Sequence, residues 1–150
     1  MFQRRIIIFL LTTLVFTSGY VLGALRGASE DDVASSAAGA PRVFEMRTYT
    51  THEGKLEALH SRFRNHTTKL FEKHGMTNVG YWVPDDAPLA QNTLVYIVAH
   101  PSREAAKKSW DGFRNDPEWV KARTESEAGG KIVIKVDSVF MSATDYSSMK

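Results

Sequence analysis

From Ile6 to Leu25 the chain runs without a single charge (IIIFLLTTLVFTSGYVLGAL), between Arg4–Arg5 on one side and Arg26 on the other. A helix over that run would reach about 30 Å, the thickness of a hydrocarbon core. A basic start followed by an uncharged apolar stretch is also the pattern of an export signal. Residues 1–25 are therefore read as a signal peptide or an N-terminal membrane anchor, and the two stay open. Val21 with Gly23, or Leu22 with Ala24, would serve as a cleavage site. With Arg4 and Arg5 held inside, whatever follows faces outside the cytoplasm, tethered through residues 6–25 or exported to a periplasmic or extracellular space.

Residues 26–41 continue as a small, polar stretch (RGASEDDVASSAAGAP) that buries too little apolar surface to offset ordering, so they are read as a flexible linker. Residues 42–145 are left for one domain with one hydrophobic core. Basic and acidic residues number 19 and 17 and are interleaved, which argues against a nucleic-acid partner. There is no cysteine, so disulfides, thiol catalysis and thiolate metal sites are excluded.

Within the domain, residues 43–50 (VFEMRTYT) read as a strand. One face carries Glu45, Arg47 and Tyr49, the other Phe44, Met46 and Thr48. Both faces mix polar and apolar groups, and alternation alone leaves the inward face undecided. Residues 55–74 read as a helix whose stripe runs Leu56, Leu59, Phe63, His66, Leu70, ended by Gly75. Strands follow at 76–83 and 93–99, the second a short apolar run suited to a central position. Ser102 is expected to cap a helix that buries Ala106, Trp110 and Phe113. Asp116-Pro117-Glu118-Trp119 opens another helix, Gly129-Gly130 stops it, and residues 131–141 form the last strand. The order β-α-β-β-α-α-β implies an α+β, ferredoxin-like fold: a four-stranded antiparallel sheet with helices on one face. The bare face is expected to pair with a second copy, giving a homodimer.

Several segments together carry a resemblance: FEMRTYT followed by GKL, a helix ending in KHG, then VGYW, QNTLVYIVAH and DPEW. In that order they resemble the NIPSNAP domain, and FRNHTTKLFEKHG and HPSREAAKKSW resemble its bacterial branch. The resemblance implies a dimeric α/β barrel, in which the sheets of two ferredoxin-like subunits face each other. Families sharing that barrel include cofactor-free monooxygenases, haem-dependent enzymes and proteins without known activity. NIPSNAP members themselves are known as adaptor-type and unassigned proteins. FRNHTTKL also resembles a helix of ethanol-degradation-type barrels that carries an inward histidine.

Candidate site residues follow from these positions. His66 is expected to point inward between Phe63 and Leu70, where an imidazole would serve as a base or as a hydrogen-bonded core residue. Glu45, Arg47 and Tyr49 would form a polar wall, Arg47 gripping a carboxylate in two-point fashion or simply pairing with Glu45. Phe63, Trp82, Tyr96 and Trp110 would line an apolar pocket or just fill the core. No two histidines stand four apart, no Gly-rich phosphate loop occurs, and no metal or cofactor is expected. Two functions remain: a binding or adaptor module, or a cofactor-independent enzyme (monooxygenase- or isomerase-like) acting on a small hydrophobic or aromatic compound with His66 as base.

Overall fold

A computed structural model describes residues 42–150. The expected anchor or signal (1–25) and linker (26–41) lie outside the described residues. Among the described residues no helix is long and apolar enough to cross a membrane.

Four strands build one antiparallel sheet: β1 (Val43–Thr51), β2 (Thr77–Trp82), β3 (Thr93–His100) and β4 (Val133–Ser142), in the order β2-β3-β1-β4. β1 sits between β3 and β4, with Arg47 opposite both Tyr96 and Ser138. Opposed residues of an antiparallel pair share a face and successive residues alternate, so this register settles what the sequence left open. Glu45, Arg47 and Tyr49 lie with Tyr96, Val98 and His100 on the face that the helices cover. Phe44, Met46 and Thr48 share the other face with Ile97, Val139 and Met141.

The helix layer begins with α1 (Leu56–Arg62), a π-helical turn (Phe63–Thr67) and α2 (Thr68–Lys73), which form one rod. The Thr68 N–H donates to Phe63 O, five residues back, and two hydroxyls hold the widened turn. Thr67 Oγ1 donates to Arg62 O at 3.2 Å and Thr68 Oγ1 to Phe63 O at 3.3 Å. One residue added to a turn rotates everything after it by about 100° relative to a regular helix. The buried stripe therefore runs Leu59, Phe63, Thr67, Leu70, Phe71, and His66 is exposed. The inward placement expected for His66 is corrected on that ground.

Gly75 ends α2 at φ +76°, the left-handed conformation expected of it. α3 (Arg103–Asn115) starts on Ser102, whose Oγ accepts from the Ala105 N–H at 3.1 Å; α4 (Pro117–Ser126) starts on Asp116, whose Oδ1 accepts from the Glu118 N–H at 2.8 Å. Trp110 and Phe113 of α3 meet Leu59, Phe63, Leu70, Phe71 and Tyr96 in one core.

Candidate functional site

The inner face of β1 carries a charged cluster inside this core. Glu45 is 2% exposed and accepts four hydrogen bonds. Arg47 Nη1 (2.8 Å) and Ser138 Oγ (2.6 Å) donate to Oε1, while Trp110 Nε1 (2.6 Å) and His100 Nε2 (3.3 Å) face Oε2. Burial pushes this carboxyl up, but the bonds from His100, Ser138 and Trp110 and the charge of Arg47 outweigh it. They hold Glu45 down at about 2, from an ordinary 4.5. A carboxylate so strongly held is a poor base. Its chemistry here is to fix its neighbours.

Arg47 is fixed most tightly. Its guanidinium carbon lies 4.2 Å from the Trp110 ring centroid and 5.7 Å from that of Tyr49. Burial opposes its charge, but Tyr49, Tyr96 and Glu45 outweigh that and keep it a cation. Among the described residues, the buried Nε of Arg47 has no hydrogen-bond partner, and neither does the buried Nδ1 of His100. A buried polar atom without a partner, donor or acceptor, costs roughly 1–3 kcal/mol, so the fold leaves hydrogen-bonding capacity unused at both.

Aromatic rings complete the wall. Tyr96 Oη donates to Tyr49 Oη at 3.1 Å, Tyr81 stacks on Tyr96 at 5.5 Å, and Phe63 meets Tyr49 edge-on at 6.0 Å. Burial pushes the phenols of Tyr96 and Tyr81 up, so both stay protonated donors. The wall is open at one side. Val136 and Ser138 of β4 lie opposite Tyr49 and Arg47 on the same face, yet both are exposed.

Of the residues chosen from sequence, the structure thus gathers Glu45, Arg47, Tyr49, Phe63, Tyr96 and Trp110. It does not gather Trp82 or His66. Trp82 pairs with Val95 on the opposite face of the sheet and is 51% exposed, so its expected place beside Tyr96 and Trp110 is corrected. His66 stands on the solvent side of the helix rod. His100 and Ser138 were missed. The alternation Tyr96-Val98-His100 was a signal for the first; Ser138 depended on the β4 register, which sequence did not supply. Among the described residues no three His, Asp or Glu side chains stand close enough to hold a metal ion.

A family model described as NIPSNAP matches residues 44–148. No curated protein matches significantly. A crystal structure of a NIPSNAP family protein of unknown function from Agrobacterium tumefaciens superposes with a TM-score of 0.64 at 19% identity, over 75% of this chain and 96% of that one. An uncharacterized NIPSNAP-like domain protein from Burkholderia xenovorans does so with 0.62 at 15%, over 72% and 90%. A second Agrobacterium tumefaciens NIPSNAP protein gives 0.63 at 16%, over 73% and 99%. At such identities these likenesses speak for the fold alone, a four-stranded antiparallel sheet with helices on one face.

Proposed function

We propose that this chain, which belongs to the NIPSNAP family, works as a homodimeric binding module that takes up a small, partly apolar anion at the wall around Arg47. The observation that carries the reading is the guanidinium itself. It is clamped over Trp110 and held by a carboxylate saturated with donors, yet 18% of its side chain stays exposed. A carboxylate or enolate oxygen would pair with that exposed part of the cation, and Tyr49, Val136 and Trp110 would supply apolar contact for the rest of the molecule. Because the cluster is already assembled, binding has little ordering left to do.

Benzoate is the simplest probe of this chemistry. The full chain should bind it, and Arg47→Lys should bind it about tenfold more weakly, since an ammonium cannot reproduce the planar fork. Equal affinities of the two proteins, measured by titration calorimetry, would sink the reading.

The dimer rests on the uncovered sheet face. Trp82 and Val139 there are each 51% exposed, beside Met46, Val95 and Ile97, and a second copy would bury them. We further propose that residues 6–25 hold this dimer at a membrane, or carry it across one, with the domain outside the cytoplasm. Protease added to intact cells should then reach the domain, or the domain should be recovered free outside the cytoplasm. Complete protection within the cytoplasmic fraction would refute that placement.

A further inference from the structure

Nearly every donor of the Arg47 wall is spent inside the protein. Trp110 Nε1 and Ser138 Oγ both donate to Glu45, and Tyr81 Oη donates to Asn78 Oδ1. Arg47 gives Nη1 to Glu45, while its Nη2 makes no hydrogen bond among the described residues and 18% of the side chain stays exposed.

The phenol pair has one proton more than it uses. Tyr96 Oη and Tyr49 Oη lie 3.1 Å apart and bring two hydroxyl protons, of which one fills the bond between them. Tyr96 is 0% exposed, and Tyr49 is its hydroxyl's one partner among the described residues. A bond running the other way would strand the Tyr96 proton in the core, which folded proteins avoid. Tyr96 therefore donates, and the proton left over is that of Tyr49. Tyr49 is partly exposed, opposite Val136 on the side where the wall opens. Arg47 precedes it by two residues on the same strand face, and the guanidinium carbon lies 5.7 Å from the Tyr49 ring. A partly exposed cation and a phenol with an unspent proton thus stand side by side. An enolate has one charged oxygen to offer them; a carboxylate has two.

We propose that Tyr49 sets the specificity of the Arg47 site, its hydroxyl donating to the second oxygen of a carboxylate whose first oxygen meets Arg47. This rests on the reading of Arg47 as an anion site and narrows the ligand to a monocarboxylate with an apolar body.

The experiment is titration calorimetry of the full chain at neutral pH with two anions, benzoate and pentafluorophenolate, the second carrying a single oxygen. Arg47→Lys should weaken both. Tyr49→Phe should weaken benzoate about tenfold and leave pentafluorophenolate within about twofold, a difference that general damage to the wall would not produce. In the natural protein, the NMR signal of the Tyr49 ζ-carbon should move further on saturation with benzoate than with pentafluorophenolate. No benzoate binding by the natural protein, or none lost in Arg47→Lys, removes the Arg47 reading and this inference with it. Where Arg47→Lys weakens both anions, the role of Tyr49 alone is overturned by either of two results: Tyr49→Phe treating the two anions alike, or equal shifts of the ζ-carbon.

Discussion

Glu45 is the residue on which the cluster turns. Replacing its carboxylate by an amide in Glu45→Gln puts an NH2 where two donors now point. Leaving the Arg47 cation buried without its partner should cost about 3 kcal/mol, read from denaturant unfolding at neutral pH. The same residue sets a pH dependence. Its folded-state value, about 2, lies below the ordinary 4.5, so between those two pH values the unfolded chain binds the proton that the folded chain refuses. The stabilisation is fully present above pH 4.5 and is lost as pH falls toward 2. Glu45→Gln should lose that part of the slope; an acid unfolding profile parallel to that of the natural protein would contradict it. Sequence showed Glu45, Arg47 and Tyr49 on one face. It could not show that face to be the inner one, because a buried ion pair reads in sequence like an exposed one.

At the scale of elements, strand and helix order was legible because capping and periodicity agree at each boundary: Ser102, Asp116-Pro117 and Gly75 all stand where the sequence places them. The π turn was not legible. Every residue from Leu56 to Lys73 is compatible with a regular helix, and the extra residue goes with the burial of Phe71 and Thr67 and with the two threonine hydroxyls that bond back into the turn. That one insertion accounts for the misplacement of His66. A second junction makes a sharper test. His74 Nε2 lies 2.7 Å from Asp116 Oδ2, Lys73 Nζ lies 2.9 Å from the same oxygen, and the imidazole rests on Gly112. The bonds from Lys73 and then His74 hold the Asp116 carboxyl well below its usual range. A Cβ on Gly112 would come within 2.7 Å of His74 Nδ1. Gly112→Ala should therefore destabilise by about 1–2 kcal/mol despite alanine's better helix propensity. In a His74→Ala background the same change should stabilise, by up to about 1 kcal/mol. Unfolding free energies of the four proteins of that cycle check the reversal of sign; equal signs in both backgrounds would refute the contact.

For the whole molecule, one sheet face is covered by helices and the other carries an apolar surface that a monomer leaves in water. Val139, in the middle of that surface opposite Met46, is where a charge should matter most. Val139→Asp should convert the dimer to monomers, seen by sedimentation, while the far-UV dichroism stays unchanged. A dimer of unchanged affinity would place the interface elsewhere. The proposed homodimer holds a small anion at Arg47. Native mass spectrometry of the gently purified full chain beside its Arg47→Ala variant tests it most directly. We expect two chains in both proteins, with additional small-molecule mass retained by the natural protein alone. A monomer, or identical spectra from the two proteins, would contradict it.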